Sequence, residues 1–506
     1  MLRPLITAAA AVALLAGCSG GEDQASDSGT GDDQQTPSSS PTPTTPELPS
    51  FDPPKAFSAV AGVAEPRSSD KIAFKPGKAG IVGKTSLYAN RTAITGVVID
   101  GSQSWQTLAK EVETTETTDF TAPMAVQLDG KEVIATAYVQ RVEAGGTQKA
   151  HGQVNFQWID PADGKILSTV AVDITPAVGA GNGAGRLLSQ AYDAATGQVA
   201  IGLGVSSPDA TSKISSITAY ADPTTKKATL IPDVRAAGVL NGTVVGAKGV
   251  DGEGSKTLSI AVADGATGTI KKNTPTPAMN YLMPLGTGGP RAFLSGSGYV
   301  QSGEYNGHYT TSVYAVDIAT GALVETKLPN TERRNDGYTC FSDHVTALVC
   351  NVTEGGGQVD EIVAFDATTG KKTWGYTSKS ANRVVPKITT VYNGAVYGQA
   401  QTLPAVLDAK TGQDLPVPSP TRGDSGTPST GSTPSEGGPT DSNSPTSSNS
   451  VGSGSGTGGW GDTSLIYGDP QSPEMVSKYG SVYLLSPGGK APTGTENILV
   501  VQKAIG

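Results

Sequence analysis

The sequence predicts an all-β fold, and three observations lead to that prediction. Charged residues make up only 16% of the 506 residues while glycine occurs 65 times, a composition that suits short strands joined by many turns. A pattern of apolar residues, Asp, two or three residues and then Thr-Gly recurs along the chain. Its aspartates lie 42 to 62 residues apart, which is the spacing expected for four-stranded blades of a β-propeller.

The recurring pattern is typical of a β-hairpin turn. An Asp side chain can accept hydrogen bonds from the N–H groups of the turn, and Gly can adopt the positive φ that closes it. Before the Asp, both alternating sets of residues are apolar, as in residues 313–316, which indicates strands buried on two faces. A similar turn at 190–200 lies between two copies and is interpreted as the first hairpin of a blade. The copies are TGVVIDGSQSWQT (95–107), FQWIDPADGKILS (156–168), ITAYADPTTKKAT (217–229), IAVADGATGTIKK (260–272), VYAVDIATGALVE (313–325), IVAFDATTGKKTW (362–374) and PAVLDAKTGQDLP (404–416).

The number of turns predicts the number of blades. The turn aspartates are Asp100, Asp160, Asp222, Asp264, Asp317, Asp366 and Asp408. Near the C-terminus, GSVYLLS and NILVVQKA read as strands of one more blade that lacks a strand. An N-terminal strand such as KIAFKP (71–76) is expected to complete that blade, because an open ring would leave two unpaired sheet edges. Eight four-stranded blades are therefore predicted, with seven as the alternative.

The N-terminus predicts export and lipid attachment. MLRPLITAAAAVALLAGCSGG begins with one Arg and continues with an apolar run from Leu5 to Leu15 that is too short to span a bilayer. The run ends in Leu-Ala-Gly-Cys, which resembles the bacterial lipoprotein signal. The resemblance implies that Cys18 becomes the first mature residue and is acylated, for example with palmitate, so that it anchors the chain to the outer face of the cell membrane. An ordinary signal peptide followed by a chance Cys is the alternative.

Composition divides the rest of the chain. Residues 1–17 form the signal peptide, and residues 18–55 are rich in Ser, Thr, Pro, Gly and Asp, so a disordered tether is expected there. The propeller blades are assigned to residues 56–415. A second segment rich in Ser, Gly, Pro and Thr, residues 416–462, is expected to be a disordered insert, and residues 463–506 supply the strands of the final blade.

The remaining cysteines form an even pair, Cys340 and Cys350, as expected for an oxidising compartment. They bracket FSDHVTALV. If this segment is a hairpin with its loop near residues 344–346, the two cysteines lie opposite each other across the ladder and can form a disulfide. Two free buried thiols are the alternative.

The fullest copy of the repeat, DATTGKKTW with Trp374, resembles the PQQ-binding-like β-propeller repeat. The resemblance implies that the Trp docks against the neighbouring blade, and Trp105 is the candidate for the same position in the first copy. Some members of this family are quinone-dependent dehydrogenases with a vicinal Cys pair and a calcium site. In this chain Cys340 and Cys350 are ten residues apart, and DGEGSKT (251–257) lacks the acidic run of a calcium loop. No quinone, metal or other cofactor is therefore expected.

No other pattern predicts catalysis. His151, His308 and His344 lie in separate segments without a second ligand at metal spacing, so each is interpreted as a surface or loop residue. GAGNGAGR (179–186) is glycine-rich but lies outside any phosphate-binding βαβ unit. The net charge is −10, and the sequence contains no stripe of basic residues. Nucleic acid is therefore not an expected partner.

The sequence thus predicts a non-catalytic, lipid-anchored propeller that serves as a binding scaffold for a protein partner at the cell envelope. The alternative is an extracellular sensor or binding module for a small molecule or a cell-wall glycan, in which aromatic and carboxylate side chains would converge at one mouth of the ring. Tyr281, Tyr305 and Tyr309 are the aromatic candidates. A quinoprotein dehydrogenase is the least favoured interpretation, and the oligomeric state is left open.

Overall fold

Antiparallel strands form a ring of eight sheets in the computed structural model, and each sheet is one blade of a β-propeller. The structure describes residues 47–64, 78–89, 93–109, 119–147, 149–178, 186–206, 214–249, 258–276, 279–302, 306–329, 337–353, 359–380, 383–401, 403–417, 472–485 and 498–506. Residues 48–506 belong to one unit. The first strands of neighbouring blades contact one another around much of the ring, so they form the wall of its central channel.

The first four blades follow a strand, β1 (Phe57–Ala64), that belongs to the last blade. Blade 1 consists of β2 (Ala79–Val82), β3 (Thr85–Ala89), β4 (Ala93–Val98) and β5 (Ser104–Leu108). Blade 2 consists of β6 (Asp119–Phe120), β7 (Met124–Leu128), β8 (Lys131–Val142), β9 (His151–Ile159) and β10 (Ile166–Asp173), and the helix α1 (Thr175–Val178) follows it. Blade 3 consists of β11 (Arg186–Tyr192), β12 (Val199–Ser206), β13 (Ile214–Asp222) and β14 (Lys227–Pro232). Blade 4 consists of β15 (Val234–Leu240), β16 (Thr243–Lys248), β17 (Ser259–Asp264) and β18 (Ile270–Pro275).

The last four blades continue the same up-and-down order. Blade 5 consists of β19 (Tyr281–Gly288), β20 (Arg291–Ser302), β21 (Asn306–Asp317) and β22 (Leu323–Lys327). Blade 6 consists of β23 (Gly337–Ser342), β24 (Ala347–Thr353), β25 (Val359–Asp366) and β26 (Lys372–Thr377). Blade 7 consists of β27 (Lys387–Tyr392), β28 (Ala395–Ala400) and β29 (Leu403–Asp408), and a short bridge joins Leu407 to Asp414 beyond β29. Blade 8 contains β30 (Met475–Ser477), β31 (Gly480–Leu485) and β32 (Ile498–Ala504).

An N-terminal strand closes the ring, as the sequence predicts. β1 pairs antiparallel with β32, and the strand order of blade 8 is β1-β32-β31-β30. The suggested closing segment, residues 71–76, was the wrong choice, and it lies outside the described residues. The closing strand is Phe57–Ala64, which leaves the residues between β1 and β2 to connect the last blade to the first.

The repeated turn joins the third and fourth strands of its blade, which confirms the hairpin interpretation. In blade 6 the Asp366 carboxylate accepts hydrogen bonds from the N–H groups of Thr368 (3.1 Å) and Thr369 (2.6 Å). Gly370 has a φ of 72° and donates its N–H to the carbonyl of Asp366 at 2.9 Å. The turn at 190–200 instead joins β11 to β12, the first hairpin of blade 3, also as predicted.

The same turns receive hydrogen bonds from the preceding blade. Trp374 donates its indole N–H to the carbonyl of Ala409 at 2.8 Å, and Trp105 donates to Pro161 at 3.0 Å. These contacts confirm the predicted docking of Trp374 and the equivalent role of Trp105. A Cβ added at Gly412 would lie 2.5 Å from the Trp374 ring, so only glycine fits beneath it. Other blade pairs use different donors to turn carbonyls: Trp158 to Gly197, Thr229 to Ala266, Lys272 to Gly321 and Arg291 to Thr368.

The hydrophobic core lies between the blades. Residues 313–316 are all buried, which confirms the prediction that the strands before the turn Asp are buried on both faces. The largest fully buried side chain, Trp158, packs with Phe156 in a cluster shared by blades 2 and 3. Each blade therefore depends on its neighbours for burial of its apolar side chains.

A disulfide joins the first two strands of blade 6. Cys340 and Cys350 are directly opposite each other in the β23–β24 ladder and are bonded, as the spacing in the sequence predicts. The hairpin loop between them includes His344, also as predicted.

Replacing Cys340 and Cys350 together with alanine is expected to lower the free energy of unfolding by about 3 kcal/mol, because the cross-link restricts the unfolded chain. Denaturant titration of the wild type with and without dithiothreitol provides the comparison. The reduced wild type should resemble the double variant, and the double variant should not respond to the reductant. An intact mass without the deficit of two hydrogens in the non-reduced protein would contradict the disulfide.

Candidate functional site

The propeller has two faces of different construction. Because the chain reverses at every strand, the turns between first and second strands and between third and fourth strands lie at one end of the ring, here called the turn face. The strand ends that lead into the other connections lie at the opposite end of the ring, here called the loop face. Each face surrounds one mouth of the central channel.

At the turn face, a contact between two distant blades crosses the channel mouth. The Tyr192 hydroxyl of blade 3 lies 2.8 Å from Nε2 of His344 in blade 6, and their ring centroids are 4.8 Å apart. His344 lies in the β23–β24 turn and has a φ of 60°. The backbone N–H of Gly289 in blade 5 donates to the carbonyl of His344 at 3.0 Å. Blades 3, 5 and 6 are thereby connected at this mouth.

Burial favours the neutral forms of Tyr192 and His344. Desolvation raises the pKa of Tyr192 to about 12. Desolvation also lowers the pKa of His344 below its ordinary value, although the negative charge of Asp343 acts in the opposite direction. His344 lies in a hairpin turn, which confirms its interpretation as a surface or loop residue.

Asp343 connects blade 6 to blade 7 beside this contact. Desolvation opposes its charged form, but hydrogen bonds from the backbone N–H groups of Thr346, Gly394 and Val345 outweigh that effect and lower the pKa of the carboxyl. The bond from Gly394, in the first turn of blade 7, is 2.8 Å long. The turn face at this point is thus held by hydrogen bonds between blades.

The stability of the propeller is expected to fall as the pH drops from 6.5, the ordinary pKa of histidine, towards 5. The folded state lowers the pKa of His344, so the unfolded chain binds the proton more readily and acid favours unfolding. A His344→Asn variant, which tolerates the positive φ, should be less stable at neutral pH and show a flatter pH dependence over this range. Denaturant titrations at several pH values measure both slopes. Equal slopes for wild type and variant would contradict this assignment.

The loop face carries a projecting hairpin from blade 5. Beyond Ser297, β20 pairs with β21 and with no other strand that the structure describes. The side chains of Tyr299 and Val300 on this extension are 51% and 42% exposed. Tyr299 packs against Tyr309 across the hairpin, with ring centroids 5.0 Å apart. Tyr299 and Val300 thus place apolar side-chain surface at an exposed position on the loop face.

A cleft of about 930 Å³ lies among the blades that follow blade 5 in the ring. Its lining comes from blades 6, 7 and 8 and from the start of blade 1, and includes Thr339, Phe341, Lys387, Gln401 and Glu474. Lys387, Gln401 and Glu474 lie at strand ends that belong to the loop face, while Thr339 and Phe341 lie further along β23, in the direction of the turn face. The cleft is therefore a feature of the channel mouth opposite to the one that Tyr192 and His344 cross.

Glu474 is the acidic side chain of the cleft. It directly precedes β30, and its backbone N–H donates to the carbonyl of Val482 at 2.8 Å, which holds the residue at the inner edge of blade 8. Burial raises the pKa of the carboxyl, and the positive charge of Lys387 partly offsets this effect. In the part of the chain that the structure describes, no hydrogen bond or ion pair reaches the carboxylate oxygens.

The predicted aromatic candidates do not form this site. Tyr281 and Tyr309 lie in blade 5, away from the cleft, and Tyr305 lies outside the described residues. Glu474 and Lys387 were not predicted from the sequence. A lone carboxylate between Pro473 and an apolar strand is the signal that could have identified Glu474.

The remaining predicted positions fall into two groups. His151 contacts the carbonyl of Lys149 at 3.1 Å, and His308 lies on β21. Cys18, residues 251–257 and the glycines of 179–185 lie outside the described residues.

Within the described ranges, no three side chains of His, Cys, Asp or Glu are grouped as they would be to hold a metal ion. No helix in the same ranges has the length and apolar character needed to cross a membrane.

Comparisons with known proteins found only distant structural similarity. No protein family model and no curated protein sequence matches the chain. Among solved structures, the β-propeller domain of the Trilobed protease from Pyrococcus furiosus is 10% identical over 57% of this chain and 80% of that chain, with a TM-score of 0.32. Hydrazine synthase from Kuenenia stuttgartiensis is 11% identical over 73% of this chain and 98% of that chain, with a TM-score of 0.37. AztD from Citrobacter koseri is 12% identical over 68% of this chain and 85% of that chain, with a TM-score of 0.31. Similarity at this level carries no argument about function.

Proposed function

We propose that the chain is a non-catalytic β-propeller that binds a protein partner at the cell envelope through its loop face. The observation that carries this proposal is the difference between the two faces. On the turn face, several turn carbonyls accept hydrogen bonds from the preceding blade and a side-chain contact crosses the channel mouth. On the loop face, the β20–β21 hairpin projects beyond its blade with Tyr299 and Val300 exposed.

The proposal places the propeller outside the cytoplasmic membrane, attached through a lipid on Cys18. The lipoprotein-like signal and the Cys340–Cys350 disulfide both support that location, since structural disulfides form in oxidising compartments. Residues 18–55 then serve as a spacer between the lipid and the first described strand. Removing the lipid is expected to separate the propeller from its partner without unfolding it.

Crosslinking in intact cells followed by mass spectrometry tests this function. The control is a Cys18→Ala variant with a signal peptide that an ordinary signal peptidase cleaves, so that the same propeller is released. Wild-type protein is expected to crosslink reproducibly to one envelope protein, and the released variant is expected to lose that crosslink. Absence of any reproducible partner, or equal crosslinking by the released form, would contradict the proposal.

A further inference from the structure

The loop-face cleft has the size and position of a ligand-binding site, separate from the projecting hairpin of blade 5. Binding sites for small molecules are typically concave, with volumes of about 300–1,000 Å³. The cleft has a volume of about 930 Å³ and lies at the channel mouth, where inner strand ends of four blades meet. Its walls are therefore fixed by the ring and do not depend on one loop.

The lining combines two kinds of surface. Thr339, Ser378 and Gln401 present hydroxyl and amide groups, while Phe341 and Met475 present apolar surface. A ligand that matches this lining needs hydrogen-bonding groups and apolar C–H surface close together in one molecule. Sugar rings have this combination, with hydroxyls at the rim and C–H groups on the two faces of the ring.

The charges of the cleft favour a neutral ligand. Lys387 and Glu474 carry opposite charges and lie close enough for each to influence the other. Arg383, the third charged residue, is already engaged: it donates to the carbonyl of Gly412 at 3.0 Å and lies 4.8 Å from the centroid of the Tyr376 ring. The carboxylate of Asp414 lies 3.3 Å from the guanidinium of Arg383 and offsets its positive charge. The site thus has no free cluster of one sign to attract a polyanion or a polycation.

Glu474 can accept hydrogen bonds from a ligand inside the cleft. An ionised carboxylate only accepts hydrogen bonds, so its partner must carry N–H or O–H groups. A hydroxylated ligand supplies such donors, whereas an apolar ligand of equal size does not.

We propose that the cleft binds a neutral saccharide. Glu474 accepts hydrogen bonds from its hydroxyl groups, Lys387 donates to its oxygen atoms, and Phe341 and Met475 pack against its C–H surface. This site is independent of the proposed protein partner, so either proposal can fail without the other.

Isothermal titration calorimetry of the full-length protein in detergent tests the site. The probes are three neutral trisaccharides, namely triacetylchitotriose, cellotriose and maltotriose, with trialanine and spermidine for comparison. At least one trisaccharide is expected to bind saturably at millimolar concentration or below. The proposal would be overturned if none of the three trisaccharides bound. Saturable binding of trialanine or spermidine, with no binding of a trisaccharide, would show that the cleft selects a different class of ligand.

Variants connect the binding to the cleft. Glu474→Gln is expected to weaken saccharide binding about tenfold, the effect of losing one charged hydrogen-bond acceptor. Val384→Trp, at a position that lines the cleft and is 49% exposed, should block the cleft without disturbing the core. Asp129→Asn makes the same carboxylate-to-amide change in an exposed turn of the turn face and should leave affinity unchanged. Saccharide binding that neither cleft variant weakens would also overturn the proposal.

Discussion

Replacing Trp158 with alanine is expected to destabilise the propeller by about 3–5 kcal/mol, which is the usual range for removing a large aromatic side chain from a core. Trp158 is fully buried and packs in the cluster shared by blades 2 and 3. Its indole N–H also donates to the carbonyl of Gly197 in blade 3 at 2.8 Å. The variant therefore loses core volume and a contact between blades. Denaturant titration measures the change in the free energy of unfolding.

A matched variant separates these two contributions. Trp158→Phe retains most of the apolar volume but removes the N–H, so its cost should be clearly smaller than that of alanine. The carbonyl of Gly197 then loses a buried donor, which still costs about 1–3 kcal/mol. If Trp158→Ala were as stable as the wild type, the position of this side chain between the blades would be wrong.

Removing residues 1–64 is expected to open the ring, because blade 8 then lacks β1. Contacts that would be lost include the pairing of β1 with β32 and the hydrogen bond from the Tyr397 hydroxyl to the carbonyl of Pro54, at 2.6 Å. The exposed edge of β32 becomes a template for pairing with other chains. The truncated protein should melt at a lower temperature and form oligomers, which light scattering and thermal denaturation detect.

Two comparisons make the truncation informative. A chain that starts at Glu47 keeps β1 and is expected to melt like the full-length protein. A synthetic peptide of residues 47–64, added to the chain that lacks residues 1–64, should restore the melting temperature and reduce oligomer formation. A truncated chain that remains monomeric with an unchanged melting temperature would show that β1 does not close the ring.

The repeat units could be predicted from the sequence because their signals are local. The Asp and Gly of each turn act within five residues of chain, as Asp366 and Gly370 do, and a run of successive apolar residues indicates a strand buried on both faces. Cys340 and Cys350 were predictable for the same reason, since one hairpin brings them together.

Contacts across the ring could not be predicted in this way. Tyr192 and His344 are 152 residues apart, and no local pattern indicates that blades 3 and 6 meet at the channel mouth. The cleft could not be predicted for the same reason, since Lys387 and Glu474 come from different blades. The choice of residues 71–76 as the closing strand was wrong because several N-terminal segments have strand-like composition, and only pairing with β32 distinguishes β1 from them.

A photo-crosslinking amino acid placed on each face tests most directly whether the loop face binds the partner. Val300 on the loop face and Val345 on the turn face provide a matched pair, since their side chains are 42% and 69% exposed. In cells that express the lipidated protein, the probe at Val300 is predicted to capture the envelope partner and the probe at Val345 is predicted not to. Capture from Val345, with none from Val300, would contradict binding through the loop face.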